Sequence, residues 1–187
     1  MQGNRAVLTA VVVIVVLVLG WWLFGRGSKG GRVDLVEQFA TAEKRPSEDV
    51  FSVTNATLAG VTKRAVAINP VAGSRLTWTV RIPDDGWLWV SVGMKPEAWE
   101  QEGDGIKFLV GVSDGRAFEP LFEHHVNPFA NPGDRKWMDV RVDLSTYASE
   151  QVELVFNTYA SLPGKGGPAG DQRNDFGLWG SPEIVVR

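Results

Sequence analysis

Polar and apolar side chains alternate with period two in a series of short windows, the signature of strands buried on one face. In RLTWTVRI, Leu76, Trp78, Val80 and Ile82 share a face, with Arg75, Thr77, Thr79 and Arg81 opposite. IKFLVGV sets Ile106, Phe108, Val110 and Val112 against Lys107, Leu109 and Gly111. WMDVRVDL turns Met138, Val140, Val142 and Leu144 inward, and QVELVFNTY does the same with Val152, Leu154 and Phe156. EIVVR closes the chain as a last strand, and turn-forming stretches such as PDDG, SDG, NPFANPGD and LPGKGGPAGD separate the runs. Only RVDLVEQFATAEK carries helical spacing, through Val33, Val36, Phe39 and Ala40. That stretch reads equally as an opening strand followed by a loop. Strands at short intervals without intervening helices predict an all-β sandwich or barrel.

One window breaks the one-sided rule. In DDGWLWVSVGM, Leu88, Val90, Val92 and Met94 point one way, and Trp87, Trp89, Ser91 and Gly93 the other. A strand covering a core on one side needs a single apolar face. The two indoles either pack under a further layer of chain, the usual fate of large aromatics, or face outward to meet a ligand.

At the N-terminus the pattern changes to an unbroken apolar run. Residues 6–24, AVLTAVVVIVVLVLGWWLF, hold no charged side chain. As a helix they would span about 28 Å, close to the roughly 30 Å hydrocarbon layer of a bilayer. Trp21 and Trp22 end the run where indoles favour the interface. A secretory signal would be shorter and would end in small residues, so an uncleaved transmembrane helix is the expectation. The domain plan is then a short flank (1–5), the anchor (6–24), a flexible linker (25–32) and a β-sandwich domain (33–187).

The whole chain has 187 residues, no cysteine and a net charge of -3. Disulfides and thiolate chemistry are thereby excluded. Without a basic face or an arginine-rich run, no nucleic-acid partner is expected. Flanking cations on both sides of the anchor (Arg5 on one, Arg26, Lys29 and Arg32 on the other) mildly favour a cytoplasmic body.

Four stretches carry a family resemblance: SRLTWTVRIPDDGWLWVSVG, GDGIKFLVGVSDG, RKWMDVRVDLSTYASEQVELVFNT and NDFGLWGSPEIVV. In this order they resemble the galactose-binding-like jelly roll of carbohydrate-binding modules and bacterial envelope proteins. The resemblance implies a jelly-roll sandwich displayed outside the cytoplasm on a bacterial cell membrane, against the weak charge signal. It also implies a structural calcium ion, for which Asp175 and Glu183 are the side chains nearest the pattern. Ser149 stands where the pattern has glycine.

Trp87, Trp89 and Trp99 are the candidate ligand-binding residues, because an indole face suits the C–H face of a pyranose. Trp78, Trp137 and Trp179 read as core. His124 and His125 are strand neighbours facing opposite sides and do not converge on an ion. Asp143 reads as a cap for the turn that follows it. No nucleophile elbow, zinc motif or phosphate loop is present, so no catalysis is expected. The function that follows is a membrane-anchored, non-catalytic module binding a glycan; the alternative is a structural or protein-interaction domain of an envelope assembly.

Overall fold

The computed structural model describes residues 31–69, 73–160 and 172–187. The expected anchor at residues 6–24, most of the linker and the LPGKGGPAGD stretch lie outside the described residues. Among the described residues no helix is long and apolar enough to cross a membrane.

Eleven strands follow one another: β1 (Val33–Asp34), β2 (Glu43–Arg45), β3 (Phe51–Leu58), β4 (Val61–Ile68), β5 (Gly73–Arg81) and β6 (Gly86–Met94), then β7 (Ile106–Ser113), β8 (Phe118–Val126), β9 (Met138–Asp143), β10 (Gln151–Tyr159) and β11 (Gly177–Val186). They form two antiparallel sheets. The first runs β3-β4-β11-β6-β9, with β1 beside the end of β11; the second runs β2-β5-β10-β7-β8. The fold is therefore all-β, and the alternating windows of the sequence are β5, β6, β7, β9 and β10. RVDLVEQFATAEK holds no α-helix. It supplies β1, a single 3-10 turn at Phe39–Thr41, and the start of β2.

Inward residues of both sheets form one core, in which Leu88, Val90, Val92, Val140 and Ile184 meet Leu76, Trp78, Phe108, Val110, Leu154 and Phe156. Its centre is aromatic. Trp179 of β11 meets Phe108 edge-on at 4.9 Å between ring centres and Phe156 at 4.6 Å; Phe156 meets Trp78 edge-on at 5.1 Å. The buried indole N–H of Trp179 donates to Thr158 Oγ1 at 3.1 Å, so burying it leaves no donor unpaired.

Strand β11 is longer than EIVVR and contains a bulge. Gly180 lies opposite Ser91 and Glu183 opposite Trp89, so three steps on β11 match two on β6. The extra residue falls at Ser181-Pro182, with Ser181 at φ 42. A bulge reverses which parity faces the core. Trp179 points in before it and Ile184 after it, which turns Glu183 outward.

Hairpin β3–β4 has no counterpart among the alternating windows. β3 buries only its end residues Phe51 and Leu58, and β4 buries four in a row from Ala65. The hairpin bends over the outer side of the first sheet. There Leu58, Ala65, Ala67 and Leu178 gather around Trp137 in a second, smaller cluster. Trp137 is thus buried, but outside the inter-sheet core, with its indole donating to Val61 O at 2.9 Å. It lies directly on backbone: a Cβ at Gly180 would stand 2.7 Å from its ring.

Removing Trp179 is expected to cost about 3–5 kcal/mol as Trp179→Ala, against about 1 kcal/mol for Trp87→Ala on the outer face. Urea unfolding measures both. Equal losses would place Trp87 in the core.

Candidate functional site

The outward side of β6 answers the question its sequence poses. Trp87 and Trp89 are neither core nor free: both are half-buried on the outer face of the first sheet. Neighbouring strands flank them in register. Trp89 lies between Arg141 of β9 and Glu183 of β11, and Trp87 between Asp143 and Val185. Each indole carries a guanidinium over its ring, Arg141 at 4.8 Å from Trp89 and Arg187 at 4.6 Å from Trp87. Among the described residues the buried indole N–H of Trp89 has no hydrogen-bond partner.

Beside Trp89 the face opens into a cleft of about 210 Å³, whose other lining side chains include Lys63, Ser91, Asp139, Arg141 and Glu183. Drug-sized ligands occupy about 300–1,000 Å³, so this cleft suits one small ring. Its floor is fixed by a polar network. Lys63 reaches across from the β3–β4 hairpin and donates to Ser91 Oγ at 2.6 Å and Asp139 Oδ1 at 2.7 Å. Ser91 donates to the same Oδ1 at 2.7 Å. The Lys63 ammonium also lies 5.9 Å from the ring of Trp137, so one side chain joins the apolar half of this face to the cleft. On the opposite wall Arg32 Nε forms an ion pair with Glu183 Oε2.

The hydrogen bond from Lys63, then that from Ser91, holds the Asp139 carboxyl below its ordinary value, with desolvation opposing. A depressed folded-state pKa stabilises the fold above the unfolded value of about 3.9, and that contribution is lost as pH falls through the folded one.

The other sequence candidates lie elsewhere. Trp99 follows a 3-10 turn at Pro96–Ala98, beyond the far end of β6, and donates to Met94 O at 3.0 Å. It is half-buried against the Trp137 cluster, away from Trp87 and Trp89. Asp175 is buried ahead of β11, whereas Glu183 lies past the bulge. Gly177 pairs with Met94 and Glu183 with Trp89, a separation of five residues or about 17 Å along the strand. Calcium ligands sit at about 2.3–2.6 Å from the ion, so these two carboxylates do not share one. Among the described residues no group of three or more His, Asp or Glu side chains converges as a metal site. His125 Nε2 donates to Asp104 O at 2.7 Å while His124 is exposed on the other side. Asp143 caps its turn through Ser145 N at 2.8 Å.

Sequence reasoning missed Lys63, Asp139, Arg141 and Glu183 as neighbours of Trp89. Asp139 and Arg141 were visible as the polar side of β9, but strand order places them. Glu183 depends on the bulge, and Pro182 inside a strand was the available signal.

No family model matches the chain. An uncharacterized protein of Archaeoglobus fulgidus is 40% identical over 106 residues, 56% of this chain and 25% of that protein. The chain thus accounts for about a quarter of that relative's length. Among solved structures, the second family 51 carbohydrate-binding module and adjoining INT domain of Clostridium perfringens ZmpB superimpose with a TM-score of 0.55 at 15% identity, over 83% of this chain and 32% of that one. A family 61 carbohydrate-binding module in complex with β-1,4-galactotriose gives 0.51 at 14% identity, over 80% and 90%. The β domain therefore shares its two-sheet sandwich fold with these carbohydrate-binding modules.

Substituting Lys63→Met is expected to raise the Asp139 titration midpoint towards about 3.9, read from carboxyl carbon shifts by NMR. An unmoved midpoint would remove Lys63 as the cause.

Proposed function

We propose that the protein is a non-catalytic carbohydrate-binding module, tethered to a membrane by residues 6–24, that takes a glycan on the outer face of its first sheet. The observation that carries this reading is the cleft beside Trp89, where an indole, a guanidinium and a carboxylate meet on adjacent strands. A sugar offers an apolar ring and a rim of hydroxyls that both donate and accept. Asp139 accepts and Arg141 donates. These groups stand on hydrogen-bonded strands, so little ordering entropy is lost on binding.

The same geometry argues against hydrolysis. A glycosidase needs one carboxylic acid with a raised pKa beside a second carboxylate. Here Asp139 is pushed the other way by Lys63 and Ser91, and Glu183 is committed to Arg32. A wider depression of about 290 Å³ at the edge of the second sheet, lined by Arg45, Pro46, Ser74, Arg75 and Asn157 among others, has no aromatic side chain and offers nothing for a sugar ring to lie on.

With a few polar contacts of about 1 kcal/mol each, binding between about 10 μM and 1 mM is expected. Titrating the full chain in detergent with a panel of neutral and acidic oligosaccharides, followed by tryptophan fluorescence and calorimetry, tests this. At least one sugar is expected to saturate, and Trp89→Ala, with an unchanged circular-dichroism spectrum, to weaken it at least tenfold. Silence across the panel would favour the protein-interaction module of an envelope assembly.

A further inference from the structure

Resting on that glycan-binding reading, we infer that the ligand is an acidic sugar, with Arg141 receiving the carboxylate of a uronic acid residue in the cleft beside Trp89.

The inference follows from accounting for the charges on this face. Lys63 is satisfied by Ser91 and Asp139. Glu183 is paired with Arg32. These two pairs cancel. Arg141 remains. Its guanidinium, on the exposed side of β9, lies over Trp89 and, among the described residues, makes no hydrogen bond or ion pair. The cleft therefore carries one more positive charge than negative, and Arg141, which Asp139 feels only at longer range, is the cation at its rim without a hydrogen-bonded partner.

The way that charge is held selects its partner. The Arg141 guanidinium carbon lies 4.8 Å from the centre of the Trp89 ring. This cation–π contact occupies none of its five N–H donors. A planar fork of donors matches a carboxylate, which accepts two parallel N–H bonds. The contact also covers one face of the Trp89 ring, the surface a neutral pyranose would otherwise share. What the cleft presents first is therefore a carboxylate receptor rather than a bare aromatic platform.

The arrangement repeats once. Arg187 lies over Trp87 as Arg141 lies over Trp89, two residues and about 7 Å further along β6. Arg187 likewise makes no side-chain hydrogen bond or ion pair among the described residues, and the nearby Asp143 carboxylate accepts from Ser145 N. Two guanidinium–indole pairs in file suit a chain of acidic sugars better than a single one.

The test compares three ligands on the full chain in detergent by calorimetry: trigalacturonate, the same trisaccharide after carboxyl reduction, and β-1,4-galactotriose. Trigalacturonate is expected to bind at least tenfold more tightly than either neutral sugar, with affinity falling as salt is raised. Arg141→Lys keeps the charge and discards the planar fork; it is expected to lose at least tenfold towards trigalacturonate and less than that towards the neutral sugars. Equal affinity for the acid and its reduced form would overturn the inference and leave the glycan reading standing. Equal trigalacturonate affinity in Arg141→Lys would overturn the assignment of Arg141. If no glycan of the wider panel binds, both readings fall.

Discussion

The contact of Trp179 with Phe108 and Phe156 holds the two sheets together, and much else in the molecule follows from it. One large ring from the first sheet meets two of a row of three from the second, with its only polar atom satisfied by Thr158. Aromatic pairs in edge-on or tilted geometry add about 0.5–1.5 kcal/mol each beyond the area they bury. With the centre filled from β11, strand β6 contributes only aliphatic side chains to the core, and its two tryptophans are left for the outside.

The bulge in β11 is the second constraint, and it is local to the site. Trp179 must point in at one end of the strand and Ile184 at the other, which a regular strand cannot do across an odd step. The extra residue at Ser181-Pro182 resolves the conflict and turns Glu183 outward beside Trp89. The site is thus a product of core packing, since the register change that lets Trp179 and Ile184 both face inward also delivers a carboxylate to the opposite face. From the other side, Lys63 brings the hairpin that covers Trp137 into the same cleft. Stability and binding surface share these residues.

How far the sequence could reveal this depends on whether the information was local. The alternation of β5, β7, β9 and β10 was legible because each sends an unbroken apolar set into the core at alternate positions, even though β7 and β10 also bury part of their other face, and Asp143 as a cap because its partner is two residues away. Trp87 and Trp89 were recognisable as sharing the face opposite Leu88 and Val90, yet whether chain or solvent met them was not, since Arg141 and Arg187 reach them only through strand order. Hairpin β3–β4 was hidden for a different reason. Its turn is Ala59-Gly60, both at positive φ, where Asn-Gly is the usual signal, and its alternation is spoiled by a bend that buries both faces of β4. Asp175 and Glu183 show a different limit: the resemblance suggested them as carboxylates for a structural ion, and an extended strand keeps them apart.

The central claim is that the outer face of the first sheet, and not a loop or the core, is the binding surface. Indole N–H signals in a ¹H–¹⁵N spectrum report on it residue by residue during titration with an acidic oligosaccharide. The account predicts that the Trp89 signal, and then that of Trp87, shifts in step with binding while Trp78 and Trp179 stay still. Saturable binding that leaves Trp87 and Trp89 unmoved, or that moves Trp99 in their place, would contradict it.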